Sequence, residues 1–258
     1  MQVQQRISAD GASLNGRPVI ITRPAGTAAA LARRVRARGG APMLLPGLSL
    51  RGASDQVAAR GALQQAFADD VLIFTSPAAV AFAAALLPLR TSSIVFAVGQ
   101  GTARALQRHG IGTPLVPTRQ DSEGLLDHPA LRDASGKRMA LIGAPGGRVL
   151  LREQLVARGA QWRDVHVYRR VAPRLNRRHV DALLQLPASA LILLSSAEAL
   201  NHLCKMLPPP ALARLFSATA VVSSERLAAA AREAGFADII QAASALSVDL
   251  LDAAARAA

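Results

Sequence analysis

Short apolar runs separated by helical stretches mark this chain from Pro18 almost to its end. The runs at 19–22, 71–74, 94–98, 139–142, 190–194 and 220–222 are mostly Val, Ile, Leu, Ala and Phe. Runs of that length and composition predict strands covered on both faces. Weaker ones follow at 114–116 and 238–240, and two longer passages, 44–50 and 164–170, mix apolar and polar positions in a strand-like way. Helices are predicted to begin after Gly26, Ser54, Pro77, Gly101, Ser122, Gly147, Asn176, Ala197, Pro208 and Ser224. Several should close on the glycine expected just past a helix, at Gly39, Gly110, Gly159 and Gly235. Strand and helix in alternation build a parallel sheet with helices on both faces, an α/β fold.

The chain also repeats itself at an offset near 120 residues. Segment 19–26 and its helix, closing at Gly39, correspond to 140–147 and the helix closing at Gly159. Segment 72–80 corresponds to 192–200, and 94–110 to 218–235. The order is therefore a, b, a′, b′. Two assemblies follow equally from the residues: two consecutive domains, or an outer domain built from a with b′ around an inner one built from b with a′. In the second, the chain crosses between domains near 44–51 and again near 164–173. The later crossing, Val165-His166-Val167-Tyr168-Arg169-Arg170-Val171-Ala172-Pro173, holds the single tyrosine and is stopped by a proline.

Composition narrows the class. At 258 residues and 51% hydrophobic content the chain has ample material for a packed core. The stretch 71–89 has no charge over a membrane-spanning length. It reads as strand, turn and helix instead, because β-branched and aromatic residues at 71–74 give way to Thr75-Ser76-Pro77, a helix start. Residues 1–16 are polar and lack the apolar centre of a secretory signal. A cytoplasmic soluble protein without membrane association is expected. Cys204 is alone, which excludes an intramolecular disulfide, and it reads as a small apolar filler. His109, His128, His166, His179 and His202 are scattered without metal-ligand spacing, so no metal is expected. The formal charge of +13 suits an anionic partner. Only Lys137 and Lys205 are lysines, and the arginines spread along helices with no dense basic run or interleaved aromatics. That pattern does not favour nucleic acid and fits an anionic small molecule.

Ligands of open parallel sheets bind beyond the carboxyl ends of the strands, where turns lead into helix N-termini. Six turns there offer glycine or a small hydroxyl: Thr22-Arg23-Pro24-Ala25-Gly26, Thr75-Ser76-Pro77, Gly99-Gln100-Gly101-Thr102, Ala144-Pro145-Gly146-Gly147-Arg148, Ser195-Ser196 and Ser223-Ser224-Glu225-Arg226. Exposed N–H groups at such turns can meet carboxylate or phosphate, and the same residues also serve as ordinary N-caps. Arg23 and Arg148 are placed to pair with carboxylates or to stay solvated. A nucleotide cofactor is not expected, since Arg104 stands where the dinucleotide fingerprint needs its third glycine and no Gly-Lys-Ser/Thr pattern occurs. Ser76 and Ser196 lack the Gly-x-Ser-x-Gly elbow of a serine hydrolase.

From Arg17 to the C-terminus the chain resembles the uroporphyrinogen-III synthase family of tetrapyrrole and haem biosynthesis. The resemblance rests on Ile21-Thr22-Arg23-Pro24, Phe74-Thr75-Ser76-Pro77-Ala78-Ala79-Val80, Ala97-Val98-Gly99-Gln100-Gly101-Thr102-Ala103, Asp121-Ser122-Glu123-Gly124-Leu125-Leu126, Gly146-Gly147-Arg148, Val167-Tyr168-Arg169-Arg170 and Val221-Val222-Ser223-Ser224-Glu225-Arg226. It implies two flavodoxin-like parallel-sheet domains joined by a two-stranded β-ladder. The outer domain would be discontinuous, 1–45 with 172–258, residues 1–16 being a tail; the inner domain would be 52–164, and the hinge strands 46–51 and 165–171.

It also implies a cofactor-free hydro-lyase, expected as a monomer, that closes hydroxymethylbilane to uroporphyrinogen III with loss of water and inversion of the last ring. On this resemblance Tyr168 assists the departing hydroxyl, a role that stands beside simple packing of the ladder. The carboxylates of the substrate would be met by Arg23, Thr75, Ser76, Gly99, Gln100, Gly101, Thr102, Gly147, Arg148, Ser195, Ser196, Ser223 and Ser224. Relatives often carry a Gly-Pro-Thr-Thr-like turn where this chain has Val222-Ser223-Ser224-Glu225, so Glu225 is expected to face away from substrate. A non-catalytic tetrapyrrole- or anion-binding regulator on the same fold is the alternative.

Overall fold

The computed structural model describes residues 13–147 and 149–257. From the N-terminus, β1 (Pro18–Ile21), α1 (Ala29–Ala37) and β2 (Ala41–Leu44) form one strand-helix-strand unit, and β3 (Ser49–Gly52) follows. Next come α2 (Gln56–Ala66), β4 (Val71–Phe74), α3 (Pro77–Leu86), β5 (Ile94–Ala97) and α4 (Gln100–Arg108). Two short helices, α5 (Ser122–Asp127) and α6 (Pro129–Arg132), lead to β6 (Arg138–Gly143), α7 (Val149–Ala157), β7 (Gln161–His166) and β8 (Tyr168–Val171). The remainder runs α8 (Arg177–Leu184), β9 (Leu191–Leu194), α9 (Ala197–Met206), α10 (Pro209–Phe216), β10 (Thr219–Val222), α11 (Glu225–Ala234), β11 (Ile239–Gln241) and α12 (Ser247–Arg256). No helix among the described residues is long and apolar enough to cross a membrane. The uncharged stretch from residue 71 is β4, a turn and α3.

Residues up to Ser49 together with those from Val171 onward form one compact unit, and Leu50–Arg170 form the other. The outer unit holds a sheet in the order β11-β10-β9-β1-β2, every pair parallel. The inner unit holds β5-β4-β6-β7, also parallel, with Leu115 adding a single parallel bridge to Phe96 beyond β5. Under the internal repeat β1 corresponds to β6, β2 to β7, β9 to β4 and β10 to β5. The two sheets therefore have the same spatial order, and a pairs with b′ while b pairs with a′. The strand neighbours, Val19 beside Leu191 and Val71 beside Met139, exclude two consecutive domains.

Each sheet has apolar packing on both faces. In the outer unit Ile20 and Ile192 point into one cluster and Val19, Ile21 and Leu193 into the other. In the inner unit Leu72 and Phe74 face one side, Val71 and Ile73 the other. This explains why the strands read as continuous apolar runs, and Gly39, Gly110, Gly159 and Gly235 all take the positive φ that ends a helix on glycine.

Several expectations need correction. The passage 44–50 is not one strand: β2 ends at Leu44 and β3 starts at Ser49. Pro46 brings no N–H, and the chain instead stays pinned to β1 through Leu45 N–H to Ile21 C=O (3.1 Å) and Gly47 N–H to Thr22 C=O (3.0 Å). The passage 164–170 is also two strands, which part at Val167. Its N–H donates to Gly143 C=O at 3.0 Å, extending the inner sheet, and its C=O accepts from Ala53 N–H at 3.2 Å on the other ladder. That ladder is the separate two-stranded sheet β3-β8. The predicted strand at 114–116 shrinks to the Leu115 bridge. The helix expected after Gly26 begins only at Ala29, because Thr27 closes a turn on Pro24 C=O through both its N–H (3.0 Å) and its hydroxyl (2.8 Å). Helices α6 and α12 were not anticipated.

Candidate active site

The crevice of an open parallel sheet lies where adjacent strands send the chain to opposite sides. In the inner unit that place is between β4 and β6, since β4 leads outward to β5 and β6 to β7. Thr75 and Ser76 follow β4, Ala144 and Gly147 follow β6, and β8 brings in Tyr168 and Arg170. With Leu141 these six residues line a cavity of about 200 Å³.

Each is held by a local cause. The Thr75 hydroxyl donates to Ile142 C=O at 3.2 Å across the strand pair, and the absence of a side chain at Gly143 leaves it room. Ser76 is the N-cap of α3: extended backbone (φ −164°) turns its Oγ back to accept Ala79 N–H at 3.1 Å. Pro77 at the first helical position fits because no partner exists there for an N–H. Tyr168 is 7% exposed and belongs to the inner core. Its ring stacks on Phe82, centroids 5.4 Å apart and planes 12° apart, while its hydroxyl lies 3.3 Å from Ser76 Oγ. The Arg170 guanidinium donates to Pro145 C=O at 2.9 Å and ties the turn after β6 to β8. A phenol, a helix N-terminus and a guanidinium thus converge on one cavity. All three donate hydrogen bonds, which suits an oxygen that carries or acquires negative charge.

The turn after β5 is arranged differently. Gly99 is the N-cap of α4, and Gln100 N–H donates to the side-chain oxygen of Gln120 at 3.1 Å. Gln100 and Gly101 are exposed, but Thr102 is buried. The helix begins two residues earlier than expected, which turns Thr102 inward, so its hydroxyl does not face solvent. Arg148 lies outside the described residues.

In the outer unit the equivalent place is between β1 and β9. Here too a threonine bridges the strands, Thr22 donating to Leu193 C=O at 2.7 Å. Arg23 is half-buried and donates to Ser247 Oγ at 3.0 Å, and burial, followed by the charge of Arg34, pushes its pKa down. Ser196 caps α9 by accepting Ala199 N–H at 3.2 Å, and Ser224 caps α11 by accepting Leu227 N–H at 3.4 Å. Ser195 is exposed and Ser223 half-buried. Glu225 is exposed and reaches along its own helix to Arg232 at 3.5 Å.

A family profile described as "Uroporphyrinogen-III synthase HemD" matches residues 29–251. The chain belongs to the uroporphyrinogen-III synthase family. It is 32% identical over 234 residues to the uroporphyrinogen-III synthase of Escherichia coli K12, covering 86% of this chain and 93% of that protein. It is 31% identical over 228 residues to the Salmonella typhimurium uroporphyrinogen-III synthase, with the same coverage. Among solved structures, uroporphyrinogen-III synthetase from Helicobacter pylori 26695 superposes with a TM-score of 0.60 at 15% identity, covering 92% of this chain and 97% of that one. A mutant uroporphyrinogen III synthase from the extreme thermophile Thermus thermophilus gives 0.57 at 21% identity, with 93% and 98% covered. The fold is shared with both.

Sequence reading missed three residues that contact these turns or Tyr168: Phe82 in α3, Arg170 on β8 and Gln120 before α5. Arg170 was accessible through strand periodicity, since residues 168 and 170 of one strand share a face. Phe82 is the one aromatic in an alanine-rich helix, and its partner Tyr168 is remote in sequence. Gln120 had no signal.

Proposed function

We propose that this chain is a uroporphyrinogen-III synthase: it closes hydroxymethylbilane to uroporphyrinogen III with loss of water and inversion of the last pyrrole ring. The observation that carries this is the Tyr168 hydroxyl at the switch-point cavity of a chain that belongs to this family. Tyr168 gives its proton to the departing hydroxyl as the C–O bond breaks, and the pyrrole nitrogen lone pair supplies the electrons. The substituted α-carbon of the last ring then attacks the resulting methylene carbon to give a spiro intermediate. The attacking carbon's bond to its original methylene breaks, that methylene re-bonds at the ring's unsubstituted α-carbon, and loss of the proton there restores the aromatic pyrrole with the ring inverted. No electron changes hands and the nitrogen provides the push, so the steps call for no redox or metal cofactor.

The enzyme's task is a hydrogen-bond donor at the leaving oxygen and a held conformation, catalysis by positioning. The substrate carboxylates would be met by N–H groups at the turns after β4, β5, β6, β9 and β10, by the hydroxyls of Ser195, Ser196, Ser223 and Ser224, and by Arg23. The Gln120 oxygen on Gln100 N–H would give way to a carboxylate at that turn. As proposed, the protein acts as a monomeric hydro-lyase in the cytoplasm, with no nucleic acid or membrane partner.

Incubation with freshly made hydroxymethylbilane and separation of the product isomers tests this. Uroporphyrinogen III well beyond one equivalent per protein is expected, and formation of only the spontaneous type I isomer would overturn it. Tyr168→Phe should lower kcat about 10²-fold, the lower range for general acid catalysis.

A further inference from the structure

Helix α3 holds Tyr168 at two points. Phe82, half-buried on that helix, stacks flat on the phenol ring, and Ser76, its N-cap, meets the hydroxyl. Capping alone does not require the second contact: Ser76 Oγ already accepts Ala79 N–H at 3.1 Å, and at the corresponding turn Ser196 caps α9 at 3.2 Å. A serine hydroxyl has one proton and two lone pairs. With a lone pair taken by Ala79 N–H, the Ser76 proton is free to point at the Tyr168 oxygen. The tyrosine proton is then left for the cavity.

We infer that Ser76 and Phe82 are positioning residues for Tyr168: Phe82 sets the plane of the ring, and Ser76 relays a hydrogen-bond chain from the α3 N-terminus to the phenol. The chain runs Ala79 N–H to Ser76 Oγ–H to Tyr168 Oη–H and on to the substrate oxygen. Each link polarises the next, and it starts at the positive end of a helix, so the phenol becomes the stronger donor. Donation to Tyr168 also stabilises the phenolate left after proton transfer. No net reaction is added, because the proton returns when the product pyrrole loses its own. This rests on Tyr168 acting as donor in the proposed synthase reaction.

The test is a double-mutant cycle on the full chain. Ser76→Ala is expected to lower kcat about tenfold with KM changed less than about twofold, a modest part of what acid catalysis supplies. In the Tyr168→Phe background the same change should alter kcat less than about twofold. Ser76→Thr, which keeps the hydroxyl and the cap, should restore most of kcat. Phe82→Leu should likewise lower kcat when Tyr168 is present and change it little in the Tyr168→Phe variant. Equal losses in both backgrounds, or a change confined to KM, would show that Ser76 and Phe82 serve folding or binding and would overturn the inference. If Ser76→Ala does not fold, the Phe82→Leu and Ser76→Thr arms decide. Full turnover of Tyr168→Phe would remove the relay's purpose while leaving the synthase reading intact. Failure of the unaltered protein to form the type III isomer would sink that reading instead.

Discussion

Arg23 sits half-buried beside another arginine and donates to a serine hydroxyl, with a guanidinium pKa pushed below its ordinary value first by burial and then by Arg34. The depressed pKa means that the folded chain disfavours this charge. At any working pH the side chain remains protonated and the cost is carried by the native state. A site that keeps such a cation is better suited to an arriving anion than to the empty protein. Arg23→Met should therefore raise the melting temperature by about 2 °C and raise KM for hydroxymethylbilane about tenfold, the loss expected for one charge-assisted hydrogen bond. Thermal unfolding and initial rates on the same preparation check both, and a lower melting temperature with unchanged KM would contradict the assignment.

At this scale the sequence was informative where chemistry is local: Thr75, Ser76 and Tyr168 do meet, because caps follow strands and the lone tyrosine stands on a crossing strand. It was silent on Phe82, whose role depends on a partner far along the chain in a different element.

Among the elements, β6 and the turn after β4 are fitted to each other through Gly143. A Cβ placed there would lie 2.6 Å from Thr75 Oγ1 and 3.2 Å from its Cγ2. Gly143→Ala should force Thr75 off Ile142 C=O, destabilise the protein by about 1–3 kcal/mol as overpacking does, and lower turnover by moving Ser76 with it. Pairing it with Thr75→Ala removes both offending atoms and leaves a contact at 3.5 Å to the residue 75 Cβ, so stability should largely return. Denaturant unfolding of the single and double variants tests this, and failure of the second change to restore stability would place the strain elsewhere.

Strands such as β4, β9 and β10 were readable because burial on both faces leaves an unbroken apolar run. The parting of β7 and β8 at Val167 was not. The strand-like pattern continues through it, and the two strands differ only in the ladder to which their hydrogen bonds go.

Across the whole molecule, the repeat near 120 residues announced two similar units, but the apolar pattern could not say which halves combine. The same residues are buried in either assembly, so only strand neighbours decide. The outcome, β1 between β9 and β2, makes the two units unequal in one respect. The inner unit is continuous in sequence, from Leu50 to Arg170, and contains its full sheet and both of its core clusters. Its length is that of an ordinary independent domain. The segment from Val171 onward is incomplete by itself. Without residues 13–49 its sheet stops at β9, leaving unpaired the strand edge that β1 occupies. It also strips Val19, Ile21, Leu31 and Val35 from the cluster around Leu191, Leu193 and Val221, leaving α12 alone to cover that face. A bare parallel edge beside a half-covered apolar face is a template for aggregation. A fragment of residues 50–170 should accordingly express in soluble form and unfold in one cooperative transition. A fragment from 171 to the end should be insoluble, and co-expression with residues 1–49 should recover it. A soluble, cooperatively folding 171–258 fragment would show that β9 does not depend on β1.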